Sequence, residues 1–180
     1  MVLLKSITKL NKGESAPDFS LENIDDTVTN LSDFKGKAVV IIFMCNHCPY
    51  DKPKLQEIAD IDNDYEDVVV IGINSNDPTN YEEDNFENMK IIAKQFGYKH
   101  YLVDETQEVA KSYGATCTPD PFIFDKDHKL VFHGRINDSM EPTDPITEKT
   151  MRNVLDKLLA GEEITEWFLP SLGCSIKWKN

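Results

Sequence analysis

Val39-Val40-Ile41-Ile42-Phe43-Met44-Cys45-Asn46-His47-Cys48-Pro49-Tyr50 is the stretch from which the fold of this 180-residue chain is read. Its first half is apolar and β-branched, as suits a strand buried on both faces of a parallel sheet. Its second half sets two thiols three positions apart. Leu55, Ile58, Ala59 and Ile61 then recur at helical spacing, predicting a helix from Pro49 to about Glu66. A strand that ends in Cys-x-x-Cys and turns into a helix puts the first sulfur where unpaired N–H groups and the helix dipole favour a thiolate. Such a pattern is a redox site.

Composition narrows the setting. The chain is 40% apolar and carries a formal charge of -13, so one globular domain over residues 1–180 is expected and a phosphate backbone is an unfavourable partner. No twenty-residue apolar run occurs, and Met1-Val2-Leu3-Leu4-Lys5-Ser6 lacks the core and cleavage site of a leader, so the expectation is a cytoplasmic protein with no membrane and no nucleic-acid partner. Four cysteines are too few for a disulfide scaffold. In a reducing compartment a Cys-x-x-Cys pair means catalysis or metal.

Outward from the cysteines, the turn and short alternating segment of Gly13–Leu21 and the alternating Thr27–Leu31 after the turn Asp25-Asp26 predict an N-terminal β-hairpin. Pro53 is expected to kink the helix behind the cysteines. Val68 to Asn74 is a second buried strand, and Asn85 to Phe96 a helix with Phe86, Met89, Ile92, Ala93 and Phe96 on one face. Strand, helix, strand, helix predicts right-handed βαβ units. A short strand at Tyr101-Leu102-Val103, a helix from Thr106 to Tyr113, a β-hairpin of Phe122–Phe124 and Leu130–Phe132, and a helix from Pro145 to Leu159 follow. The acidic segments Asp60–Asp67 and Tyr81–Glu87 read as solvated faces. The apolar tail from Trp167 to Cys174 is expected to pack back on the domain.

This order, with Pro53 five residues after Cys48 and Thr118-Pro119 between a βα unit and a hairpin, resembles the thioredoxin fold. Ala16-Pro17-Asp18-Phe19 and Leu31-Ser32-Asp33-Phe34-Lys35-Gly36 resemble its redoxin branch, the peroxiredoxins and their thiol-disulfide oxidoreductase relatives. More narrowly, Cys45-Asn46-His47-Cys48-Pro49, Cys117-Thr118-Pro119-Asp120 and Gly173-Cys174-Ser175-Ile176-Lys177-Trp178 resemble the peroxiredoxin-like thioredoxin-family proteins. The resemblance implies an α/β thioredoxin-like fold with an N-terminal β-hairpin and a C-terminal tail extension. It also implies a cis Thr118–Pro119 bond that faces the cysteines and leaves the Thr118 backbone open to an extended substrate. Two positions depart from the relatives. Val39 stands where thioredoxin has a buried aspartate, and Ile42 where peroxiredoxins have a hydroxyl that orients peroxide.

The expected function is thiol-disulfide exchange. Cys45 is the nucleophile and Cys48 the resolving thiol; His47, with Asn46, tunes the potential by favouring the Cys45 thiolate, and Thr118 and Pro119 shape the substrate groove. No cofactor and no metal are expected. The partners are a disulfide-containing protein or small thiol and an unidentified electron donor, with the chain a monomer or homodimer. Cys117 and Cys174 are candidate auxiliary thiols, Cys117 more simply a buried small hydrophobe. The alternatives are a thiol peroxidase with Cys45 peroxidatic, or a copper or zinc protein using Cys45, Cys48 and His133.

Overall fold

The structure is a computed structural model and describes residues 2–179. Met1, in the opening stretch, and Asn180, at the end of the expected domain, lie outside the described residues. In chain order the strands and helices are β1 (Leu3–Lys5), β2 (Ser20–Asn23), β3 (Val28–Asn30), β4 (Ala38–Phe43), α1 (Leu55–Asp64), β5 (Val68–Asn74), α2 (Phe86–Phe96), β6 (Tyr101–Val103), α3 (Glu108–Tyr113), β7 (Cys117–Thr118), β8 (Asp120–Phe124), β9 (Leu130–Gly134), α4 (Thr150–Leu159), β10 (Phe168–Leu169) and β11 (Leu172–Ser175).

Eight strands form one sheet in the order β10-β9-β8-β4-β5-β6-β2-β3. β4 is its centre, parallel to β5 and antiparallel to β8. Every β4 residue is buried, because its side chains alternate between two apolar layers. Val40, Ile42 and the following Met44 meet Leu55, Ile58 and Ile61 of α1, Met89 and Ala93 of α2 and Met151, Val154 and Leu155 of α4. Val39, Ile41 and Phe43 meet Ala110 and Tyr113 of α3 and the aromatic side chains of β8. The mixed sheet between helical layers is a thioredoxin-like fold. The N-terminal hairpin forms as β2 and β3, and the second hairpin as β8 and β9.

Three boundaries differ from the sequence reading. α1 begins at Leu55, not Pro49: the intervening residues form turns and a 3-10 turn at Lys52–Lys54. Pro53 lies in that turn and so precedes the helix instead of kinking it; the amide it lacks would have had no helical partner there. α3 and α4 likewise start late, at Glu108 and Thr150.

The tail packs back as expected and goes further. β11 becomes the middle strand of a second sheet, β1-β11-β7, with Leu3 and Thr118 on either side of Cys174. β1 carries too few residues for alternation to declare it. Gly173 makes this pairing sterically feasible, since a Cβ there would overlap the Thr118 carbonyl oxygen. Gly173→Ala is therefore expected to lower stability by about 3 kcal/mol, the upper range for overpacking, with a matching fall in the urea midpoint; an unchanged midpoint would mean that β11 does not need this close approach.

Candidate active site

The two cysteines follow directly from β4, whose last residue is Phe43. Met44 continues the strand through a hydrogen bond from its amide to the Ile73 carbonyl. The chain then turns, and Cys45, Asn46, His47 and Cys48 are all buried, both cysteines with no exposed surface.

The turn is held by Asp84. One of its carboxylate oxygens accepts the backbone N–H groups of Asn46 (2.8 Å) and His47 (3.1 Å). The other lies 2.5 Å from His47 Nδ1 and accepts from Asn76 Nδ2 at 2.8 Å. Burial alone would raise this carboxyl, but the His47 and Asn76 hydrogen bonds outweigh it and hold Asp84 below the usual carboxylate range. The Asn46 side chain donates from Nδ2 to the Glu83 carbonyl at 2.7 Å and accepts at Oδ1 from the Tyr101 hydroxyl at 3.0 Å. Tyr81 lies against the His47 ring, with centroids 4.4 Å apart. The acidic segment read as a solvated face thus folds inward at Asp84, which is 3% exposed.

Around Cys45 Sγ stand the Thr118 hydroxyl at 3.3 Å, Asp51 Oδ2 at 3.4 Å and His47 Nδ1 at 3.6 Å. Asp51 is fully buried and its other oxygen has no partner. Burial, and then the charge of Cys48, push its carboxyl well above the usual range. A buried carboxyl is therefore present, supplied from six residues after Cys45, although Val39 leaves the thioredoxin position empty.

The acidity of the thiols departs from expectation. Burial, the hydrogen bond to Cys48 and the negative fields of Asp51 and Asp84 raise Cys45 well above an ordinary thiol. Cys48 is instead lowered to about 4, first by a hydrogen bond from Cys45 and, against its own burial, by one from Cys174. The physical reason is local: α1 starts ten residues after Cys45, and the carboxyl groups of Asp51 and Asp84 stand within 4.8 Å of that sulfur. His47 Nδ1 also lies closer to Asp84, at 2.5 Å, than to Cys45 Sγ, at 3.6 Å.

Thr118–Pro119 is cis, and the Thr118 carbonyl accepts from Cys48 Sγ at 3.4 Å. The Thr118 edge expected to stay open is taken by β11, and Thr118 itself is buried. That strand brings Cys174 Sγ to 2.9 Å from Cys48 Sγ. Cys117 lies opposite Ser175 instead, fully buried, and burial pushes its thiol far up. His133 does not join the sulfurs: its Nε2 pairs with Asp120 at 2.9 Å and its ring stacks on Phe122 at 3.9 Å. Among the described residues, the potential metal donors at the cysteines are Cys45, Cys48 and Asp51, or Cys45, His47 and Asp84. Each set supplies three ligands, one short of a closed tetrahedral site, and the metal reading through His133 fails because its imidazole is bound elsewhere.

Sequence reasoning missed Asp51 and Asp84. Asp51 carried a faint signal, a lone acid in the turn directly behind the motif. Nothing local separates Asp84 from Glu82 and Glu83.

The model of the AhpC/TSA family matches residues 12–133. The chain belongs to the AhpC/TSA family. The thiol-disulfide oxidoreductase ResA of Bacillus thuringiensis subsp. konkukian is 29% identical over 127 residues, 68% of this chain and 69% of that protein. Peroxiredoxin Q of Populus jackii is 30% identical over 59% of this chain and 48% of its own length. Among solved structures, an uncharacterized conserved protein from Geobacillus kaustophilus superposes with a TM-score of 0.92 at 47% identity, covering 99% of this chain and 97% of that one. A putative protein disulfide isomerase from Bacteroides thetaiotaomicron shares the fold, with a TM-score of 0.65 at 21% identity over 86% of this chain and 94% of that one.

Two substitutions test the electrostatics of this family member. Asp84→Asn removes a negative charge beside Cys45 while preserving the shape of the side chain, so titration of thiolate ultraviolet absorbance is expected to show a lower Cys45 pKa than in the wild type; an equal or higher value would contradict the assignment. Asp51→Asn concerns stability. A carboxyl raised on folding makes the native state bind more protons than the unfolded one, so its contribution is complete below about pH 4 and is lost as pH rises toward the folded value. Urea unfolding should show Asp51→Asn gaining on the wild type from acid to neutral pH, whereas parallel stability profiles would mean that Asp51 is not raised.

Proposed function

We propose that the protein is a thiol-disulfide oxidoreductase working through the Cys45–Cys48 pair. The observation that carries the reading is the single buried cluster of Cys45, Cys48 and Asp51, whose sulfur and oxygen atoms all lie within 4.8 Å of one another, beside the cis Thr118–Pro119 bond. Exchange needs one sulfur to attack and a second to release the mixed disulfide. Cys45 is the attacking sulfur and Cys48 the one that resolves the mixed disulfide, and Asp51 Oδ2, 3.4 Å from Cys45 Sγ, is placed to exchange a proton with it. Asn46 and His47 then act through Asp84, fixing the turn and balancing charge beside Cys45.

The substrate is a disulfide of a protein or a small thiol, and a separate electron donor resets the pair. A cytoplasmic setting is part of the proposal, resting on four cysteines being too few for a disulfide scaffold. Since neither sulfur is exposed, a protein substrate reaches them only when the covering segments move, and β11 is the one that occupies the Thr118 edge.

A thiol peroxidase is the second reading, favoured by one contact: the Thr118 hydroxyl at 3.3 Å from Cys45 gives that sulfur the hydroxyl that Ile42 does not. The two carboxyl groups beside Cys45 oppose it, because peroxide is attacked by a thiolate and they disfavour one there. One assay separates the two. Reduced protein is mixed in turn with oxidised glutathione and with hydrogen peroxide, alongside Cys45→Ser and Cys48→Ser. The wild type is expected to reduce one oxidised glutathione per chain with loss of two thiols, Cys45→Ser to react far more slowly and Cys48→Ser to stop at a mixed disulfide with glutathione, while peroxide is consumed no faster than by an ordinary thiol. Rapid peroxide consumption without disulfide turnover would replace the first reading by the second.

A further inference from the structure

We propose that Cys174 is a third redox thiol of this site: the oxidising equivalent of a Cys45–Cys48 disulfide passes to a Cys48–Cys174 disulfide, which fastens the C-terminal strand across the Thr118 edge. The proposal rests on the reading that Cys45 and Cys48 form a redox pair and adds a partner from 126 residues along the chain.

Cys48 Sγ lies 2.9 Å from Cys174 Sγ, and Cys45, Cys48 and Cys174 make a separate buried cluster with Tyr50 packed against it. The fold holds Cys174 there from several directions. β11 sits between β1 and β7, with Cys174 opposite Leu3 and Thr118. Gly173 lies against the Thr118 carbonyl. The preceding turn is tied by the Ser171 amide to Ser6 Oγ at 2.9 Å and by the Ser171 hydroxyl to the fully buried Asp120 at 3.1 Å. A cysteine kept only for its volume would not need its sulfur aimed at Cys48.

The step balances without an added oxidant. Cys174, having lost its proton, attacks Cys48 Sγ; the Cys48–Cys174 bond forms, the Cys45–Cys48 bond breaks, and its electron pair leaves on Cys45. Cys45 takes up a proton, matching the one Cys174 gave, through Asp51 at 3.4 Å. No electrons are gained or lost overall. In the first disulfide form the tail is held by hydrogen bonds and packing; in the second it is bound covalently over the edge that a substrate strand would use, and Cys45 is again a thiol. The redox state would thereby set access to the groove.

The test uses the full chain oxidised with diamide, which takes up the two hydrogens, then quenched in acid, alkylated, digested without reductant and mapped by mass spectrometry. The wild type is expected to give both Cys45–Cys48 and Cys48–Cys174 peptides. Cys45→Ser should lose two thiols per chain to an intramolecular Cys48–Cys174 disulfide, and Cys174→Ala should give Cys45–Cys48 alone. A wild type that yields only Cys45–Cys48, with Cys45→Ser keeping its thiols or pairing between chains, overturns the relay and leaves the exchange reading standing. A wild type that forms no intramolecular disulfide overturns both. The wild-type map decides the matter even if a variant fails to fold.

Discussion

Everything at the site depends on one buried carboxylate. Asp84 comes from the segment between β5 and α2, crosses to the turn after β4 and accepts two successive backbone N–H groups, those of Asn46 and His47. Without it those donors would be buried and unpaired, at about 1–3 kcal/mol each. The same side chain holds the His47 ring and the Asn76 amide. The Cys-x-x-Cys turn is therefore shaped by a distant acid, and not by a helix cap of its own.

That arrangement changes the electrostatics. A cysteine at a helix N-terminus is acidified by the partial positive charge of free amides. Here the corresponding amides are spent on Asp84, α1 begins further on, and Asp51 adds a second carboxyl at the sulfur. The two thiols are thereby pushed apart in acidity, Cys45 upward by burial and its neighbours and Cys48 downward by the hydrogen bonds of Cys45 and Cys174. Burying so many titratable groups together is costly unless each is neutral or paired, and here burial pushes the Asp51 carboxyl upward while Asp84 is held by four hydrogen-bond partners.

The tail closes the other side. In an open thioredoxin-like site the backbone before the cis-proline is a free strand edge, and free edges invite pairing. This chain covers its own edge with β11. The covering strand carries Cys174, so the element that protects the edge also brings sulfur chemistry to it. Gly173 is the residue that makes both compatible, because any side chain there would strike Thr118.

Local pattern was sufficient for the scaffold. The unbroken apolar run of β4, the helical spacing in α1 and α2, and the two hairpins are short-range signals that marked the elements and the place of Cys45 and Cys48, and the family resemblance carried by Pro53 and Thr118-Pro119 implied the thioredoxin-like fold. What sequence alone did not determine are the contacts between segments far apart in the chain. Asp84 looks like its acidic neighbours until the fold turns it inward, and Asp51 looks like a turn residue until burial strips it of water. β1 and β11 are too short to show alternation and exist because they pair. Only tertiary structure pushed the acidities of the two thiols apart and brought Cys174 to Cys48, since acidity and sulfur–sulfur distance depend on what packs around a group and not on its place in the sequence.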